Sequence, residues 1–298
     1  MSLRSLLVYV TRHPLNQGGR ARALGRVLRW QVTSRLAKDA IALPFVNDTH
    51  LLVTSGMTGA TGNWYCGLHE HDDMGFALHY LRSADYFFDV GANIGSYTIL
   101  AAGAVGARVL AAEPIASTFR ALRANVRLND LDDRVTLRNV AVGAEEGTAW
   151  FTSHLDAMNH ALSPAETNDS AVEVAVTTLD SLAGKAVPTF VKIDVEGFES
   201  LVLAGGETTM RNGALRCALM EINGSGQRFG VADEAIHAQM RDFGFWPARY
   251  DVLARSVTGL PIDSWNRSAG NTLYVRDMGE CKERVRSAPR FRLVNREI

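Results

Sequence analysis

Three things are scarce in this chain of 298 residues. The first is a long apolar run. The nearest candidate, Ile99 to Ala112, is broken by Arg108 and falls short of the ~20 residues a membrane-spanning helix needs. The opening stretch, Met1 to Val10, has an apolar part too short for a secretion signal. The second is cysteine. Cys66, Cys217 and Cys281 stand far apart with no CxxC pair, which argues against a disulfide framework or a cysteine zinc site and suits a reducing cytoplasm. The third is acid at the ends. Residues 1–38 hold eight Arg/Lys and no Asp or Glu, and residues 282–298 hold six basic and two acidic residues. The net charge of −1 therefore conceals a body, 39–281, with 17 basic against 30 acidic residues.

Basic ends on an acidic body read first as solvated helix faces that pair with that body. The second reading is contact with an anionic membrane surface, or with a phosphate-bearing, lipid-linked substrate, by a cytoplasmic protein at the inner face of a membrane. Nucleic acid is not the expected partner, because positive charge would then gather around the cleft. What is plentiful is ordinary: 47% hydrophobic and 21% charged residues, enough for a sizeable core. No internal repeat or low-complexity segment is present.

Arg20 to Ile41 carries Leu24, Val27, Leu28, Val32 and Leu36 at helical spacing among arginines, a basic amphipathic helix. Residues 42–68 alternate apolar and polar, then turn at Gly56, Gly59 and Gly62, as a small strand-rich extension. A helix is expected over 69–82. Strands at 86–90, 108–112, 135–142, 188–194 and 215–222 then alternate with helices at 95–104, 115–128, 197–211 and 232–243. Such alternation predicts an α/β fold, a parallel sheet with helices on both faces. Residues 148–152 and 172–177 suggest a hairpin inserted in the sheet, and strands near 245–253 and 271–276 an antiparallel edge. Thr178 caps a short helix.

Within that frame, Asp89-Val90-Gly91-Ala92-Asn93-Ile94-Gly95 follows the apolar Tyr86-Phe87-Phe88 and reads as strand, glycine turn, helix. A carboxylate at the rim would repel pyrophosphate. It attracts S-adenosylmethionine (SAM), which carries an ammonium and a sulfonium; at 4 Å such a pair is worth roughly 1 kcal/mol in water and more in a drier cleft. Glu113 ends the second strand, where a carboxylate can accept both ribose hydroxyls. Val140 and Ala141 are positioned to frame an adenine ring. Asp194 ends the apolar strand Val191-Lys192-Ile193 near the reacting methyl, and Lys192 is placed to pair with an acid at the site. Glu70 is a helix cap or a cofactor contact.

Asp89–Thr98, Ala112-Glu113-Pro114, Thr178-Leu179-Asp180 and Val191–Glu199, in this order and spacing, resemble the FkbM-type SAM-dependent methyltransferases. The similarity covers about residues 80–225. It implies a Rossmann-like, mostly parallel seven-stranded sheet and O-methylation of hydroxyls, commonly on sugars or polyketide natural products. The expected division is a basic helical and strand-containing extension at 1–80, the SAM-binding domain at 81–280 and a basic tail at 281–298. Candidate cofactor contacts are Glu70, Asp89, Gly91, Ala92, Asn93, Gly95, Thr98, Glu113, Pro114, Val140, Ala141 and Asp194.

A sugar hydroxyl is a poor nucleophile, so a base should take its proton. The candidates are Asp194, Glu196, Glu221 and His160, the last on the loop between the hairpin strands. Glu199 is read as a helix-dipole acid, and Trp64 and Tyr65 as core aromatics. Asp194, Glu221 and Asn223 offer hard oxygen ligands, but strand-end acids arise without metals and no metal is assigned. The expected acceptor is a small molecule or glycan. An NAD(P)-dependent oxidoreductase is the rival enzyme, disfavoured by Asp89 and the incomplete GxGxxG. A nucleic-acid amino-methyltransferase lacks its Asp/Asn-Pro-Pro-aromatic block here. A non-catalytic membrane scaffold is the third reading.

Overall fold

The computed structural model describes residues 2–37, 39–152, 171–266 and 270–298. The chain begins with α1 (Leu3–Arg12), α2 (Arg20–Leu36), the strands β1 (Ile41–Pro44) and β2 (His50–Val53), then α3 (Thr58–Cys66) and α4 (His71–Tyr80). The alternating part follows: β3 (Tyr86–Val90), α5 (Ser96–Ile99), β4 (Arg108–Ala112), α6 (Ala116–Leu128) and β5 (Val135–Arg138). Next come β6 (Ala141–Gly143), β7 (Gly147–Phe151), β8 (Val172–Thr178), α7 (Leu179–Ala183), β9 (Phe190–Ile193), α8 (Glu199–Ala204), α9 (Glu207–Arg211) and β10 (Cys217–Glu221). The last elements are α10 (Asp233–Asp242), β11 (Trp246–Asp251), β12 (Ser256–Gly259), β13 (Asn271–Val275) and α11 (Met278–Arg286).

The main sheet has the order β12-β11-β13-β10-β9-β3-β4-β5. The five strands from β10 to β5 run parallel, while β13, β11 and β12 are antiparallel additions. Because a strand's side chains alternate between faces, Phe87 and Val109 enter one core while Phe88, Val90 and Leu110 enter the other with Leu203 and Met240. Helices thus cover both faces. The first core also takes in Val10, Val27 and Trp30 from the amino-terminal helices and Phe291 and Leu293 from the tail. The extension is tied on by polar bonds as well: Asn125 of α6 and Asn129, which caps its end, accept from the backbone of Leu52 and His50, and Arg292 reaches Asp48.

Five expectations change. The sheet has eight strands rather than seven, because 254–270 contains β12, which turns back on β11. The strand expected at 135–142 divides, since β5 pairs with β4 whereas β6 joins β8 in a separate three-stranded sheet with β7. The expected hairpin pairs as read, β7 antiparallel to β8, but sits in that small sheet and not in the large one. The helix expected over 197–211 breaks at Gly205-Gly206, where a Cβ on Gly205 would lie 2.1 Å from the Gly143 carbonyl oxygen. In the extension, Gly56 turns as expected, with φ +104, but Gly59 and Gly62 lie inside α3. Packing won over propensity there, with Trp64, Tyr65 and Cys66 buried.

Candidate functional site

A cleft of about 270 Å³ opens at the carboxyl ends of the parallel strands, where open α/β sheets place ligands. Its floor is the turn after β3. Gly91 and Ala92 both donate backbone N–H to the Ala112 carbonyl, locking the turn against the end of β4. Gly91 has φ +79, and a Cβ there would stand 1.8 Å from the Asp194 carbonyl oxygen. The first glycine of the motif is therefore demanded by the neighbouring strand end, which crosses the turn at contact distance.

Two acids stand beside that turn. Glu113 is 6% exposed, and its two carboxylate oxygens accept from the amides of Asn93 (3.0 Å) and Ile115 (2.9 Å). Burial outweighs those bonds and pushes it up to about 7. Asp89 is 1% exposed; Oδ2 accepts from Thr98 Oγ1 at 2.6 Å, and Oδ1 has no partner among the described residues. Burial raises its pKa too. A buried carboxylate oxygen left unmatched at the edge of a cleft is costly until a donor reaches it, and a cationic amine is the donor that fits. With free lone pairs on Glu113 for ribose hydroxyls and the apolar Val140, Ala141 and Ile115 on the same wall, the residues fit SAM.

Lys192 lies next to Asp89, because β3 and β9 pair Asp89 with Lys192 in register. Its Nζ donates to Asp194 Oδ2 at 2.7 Å and lies 4.9 Å from the Tyr97 ring centre. The Tyr97 hydroxyl in turn donates to Glu70 Oε2 at 2.6 Å. Burial works against the ammonium at 4% exposure, yet Asp194, Asp89 and Glu70 outweigh it and hold its pKa above the ordinary lysine value. One cation is thus shared among three carboxylates.

Beyond Asp194 the acids crowd. One carboxylate oxygen each from Asp194, Glu196 and Glu221 can be chosen so that all three lie within 4.8 Å of one another. The register explains Glu221: Met220 pairs with Ile193, so the next residues, Glu221 and Asp194, end neighbouring strands together. Burial, then the charge of Asp194, pushes Glu196 up to about 7. Glu221 is raised further by burial and by both neighbours. Glu196 has φ +53, rare and strained for a side chain that cannot bond its own turn. Glu199 holds this loop in place, its Oε1 accepting from the amides of Val195 and Gly197 at 3.2 Å each. It is 1% exposed, so its role is structural as well as electrostatic.

Of the cofactor candidates, Glu70, Asp89, Gly91, Ala92, Asn93, Glu113, Pro114, Val140, Ala141 and Asp194 line the cleft. Gly95 and Thr98 do not. Gly95 starts α5 with φ +93, a Cβ there meeting Leu122 at 2.5 Å, and Thr98 is fully buried behind Asp89. Both therefore shape the turn instead of touching a ligand. Glu196 and Glu221 line the cleft; His160 lies outside the described residues. Asn223 is exposed, and its Oδ1 accepts from the Ser225 amide of its own turn. Trp64 is in the core, its indole N–H given to the Arg26 carbonyl. Sequence reasoning missed the wall formed by Met57 and α3 (Thr58, Gly59, Ala60, Asn63), and also Tyr97. Only Tyr97, one residue from the motif helix start, carried a local signal.

The chain matches the methyltransferase FkbM domain family over residues 89–246. No curated protein matches it. Among solved structures it is similar to a methyltransferase FkbM from Methylobacillus flagellatus KT, at 16% identity and a TM-score of 0.44, covering 72% of this chain and 52% of that one. It thus spans about half the length of that structure. A precorrin-6y C5,15-methyltransferase from Geobacter metallireducens GS-15 gives 11% identity and TM-score 0.42, over 76% of this chain and 93% of the other. A SAM-dependent O-methyltransferase from Thermotoga maritima gives 11% and 0.37, over 68% and 63%. Identities and scores this low transfer no residue role to this chain.

Proposed function

The chain belongs to the FkbM methyltransferase family and uses S-adenosylmethionine, and on that premise we propose that it O-methylates a hydroxyl of a sugar in a glycan, glycolipid or glycosylated natural product. The observation that supports this reading is the meeting of Asp194, Glu196 and Glu221 beside the donor end of the cleft. Carboxylates at that place can bind, orient and deprotonate hydroxyl groups, and a sugar offers several.

SAM, when bound, supplies an electrophilic methyl. What the chain must add is a hydroxyl held about 3 Å from it, in line, and a group to take the proton. Glu196 is the base in this reading. Its pKa of about 7 suits proton transfer at neutral pH, and its strained backbone holds the side chain at the cleft. Asp194, fixed by Lys192, accepts a hydrogen bond from the acceptor and sets its angle. Glu221, raised above the usual carboxylate range, carries a proton at neutral pH and lowers the charge of the group. The dinucleotide oxidoreductase reading is set aside by family membership.

The test is transfer of labelled methyl from SAM onto sugar nucleotides, oligosaccharides and lipid-linked glycans. An alkali-stable methyl ether that Glu196→Gln abolishes is the expected product. Transfer confined to nitrogen or carbon acceptors would overturn the reading, and so would SAM binding without transfer to any sugar.

A further inference from the structure

Helix α2 turns to solvent a face that its own domain leaves bare. Leu28, Val32 and Leu36 recur every fourth residue and are 68%, 51% and 79% exposed, while Ala23, Val27 and Trp30 on the other side are buried. At about 100° per residue, Ala21, Gly25, Leu28, Val32 and Leu36 fall within one narrow stripe, with Arg35 along one edge and Arg22 and Arg29 along the other. The neighbouring α1 repeats the pattern: Leu3, Leu7 and Val8 are 64%, 38% and 43% exposed beside Arg4 and Arg12, and Val10 is fully buried. Single exposed leucines need no explanation. Here, though, six of the ten exposed large hydrophobics among the described residues fall on these two packed helices.

The charge around the stripe is of one sign. Arg4, Arg12, Arg20, Arg22, Arg29 and Arg35 are all exposed, and none is ion-paired among the described residues. Pairing with the acidic body, the plainer reading of the basic end, is therefore not what these side chains do. Only Arg26 turns inward, onto the Tyr65 carbonyl. A second copy of this face would bring arginines against arginines, and a nucleic acid would leave the leucines unburied. An anionic bilayer satisfies both: apolar side chains enter between head groups and arginines reach phosphates from the flanks.

We propose that α1 and α2 form a docking surface for an anionic lipid bilayer. The 17 residues of α2 give about 25 Å of helix to lie in the interface. Helix α2 also packs on α3, through Trp64 Nε1 and the Arg26 carbonyl, and α3 is one wall of the cleft. Docking therefore anchors that wall to the lipid surface, whatever acceptor the cleft takes.

The experiment is co-sedimentation of the full chain with vesicles of phosphatidylcholine alone, or of phosphatidylcholine with phosphatidylglycerol. Association with the anionic vesicles should exceed that with neutral ones by about tenfold or more and fall with added salt. A Leu28→Ser/Val32→Ser/Leu36→Ser variant should lose about tenfold in vesicle binding while calorimetric SAM binding is unchanged. Should that variant melt early, Arg20→Gln/Arg22→Gln/Arg35→Gln decides, as these side chains are exposed. No association, equal association with both vesicle types, or variants that bind like the parent overturn the proposal. So does a stable dimer in the ultracentrifuge that the leucine substitutions disperse.

Discussion

Glu113 and Glu196 are glutamates in one cleft, both pushed up to about 7, yet they are held in opposite ways. Glu113 ends β4 and is gripped by two amides, those of Asn93 and Ile115. Glu196 sits on strained backbone, and the charge that weighs most on it is another carboxylate, Asp194. The first arrangement fixes a side chain so that a ligand finds its acceptors already oriented. The second sets a carboxylate beside a like charge at the cleft, where the proposed proton transfer needs it. Burial raises both; the amides that hold Glu113 suit a binding residue, and the like charge beside Glu196 suits the proton transfer proposed for it.

The largest effect that tests this contrast is on Glu196. Replacing it by Gln should lower turnover by about 10²–10⁴-fold with SAM affinity nearly unchanged in calorimetry. Glu196→Gly should lose transfer equally but melt later, since relief of the left-handed backbone is worth roughly 1 kcal/mol. If Glu196→Gln transfers like the parent, the contrast between the two glutamates is gone.

Next is Glu113→Gln. It leaves one amide without its acceptor and removes the charge, so SAM affinity should drop about 10- to 100-fold, a loss of roughly 1.5–3 kcal/mol. Turnover at saturating donor should change much less. A fall in turnover with intact affinity would exchange the two roles.

The pH dependence of stability follows from the same acids. Glu113 and Glu199 move from 4.5 unfolded to about 7 folded. The unfolded chain therefore gives up these protons first. Above pH 4.5 the unfolded state gains, and these two should lower stability by up to about 1.4 kcal/mol per pH unit each until about pH 7; Glu196 adds to the decline over the same window, and Glu221, raised to about 9, carries it further. Denaturant midpoints from pH 4.5 to 8 measure this, and saturating SAM should flatten the decline by favouring the ionised acids. A midpoint that rises over that range would mean the acids are not held as described.

The smallest effect expected is from Thr98→Val, which removes the bond to Asp89 Oδ2 and keeps the shape. A loss of about 1–2 kcal/mol in unfolding free energy and a several-fold weaker SAM affinity are expected. An affinity loss as large as that of Glu113→Gln would mean Thr98 touches the ligand after all.

The donor end was legible because its signal is local. Asp89 to Gly95 and Glu113-Pro114 each lie where one strand ends, and a strand-turn-helix reads from a few consecutive residues. The acceptor end was legible only in part. Asp194 and Glu196 share a loop, but Glu221 joins them through the β9–β10 register, and the lysine that holds Asp194 lies beside Asp89 through the β3–β9 register. The α3 wall was not legible, since Gly59 and Gly62 suggested a turn where burial of Trp64 and Tyr65 keeps a helix.

By itself, the sequence determined the α/β alternation, the glycine turn with its acid, the family and the one-signed charge of the first 38 residues. Periodicity, turn chemistry and charge all act between near neighbours in the chain. Tertiary structure alone decided that the sheet has eight strands, that three carboxylates from two strand ends meet, and that the α2 leucines stay bare. Those facts depend on which surfaces find one another, and burial and strand register join residues far apart in the chain.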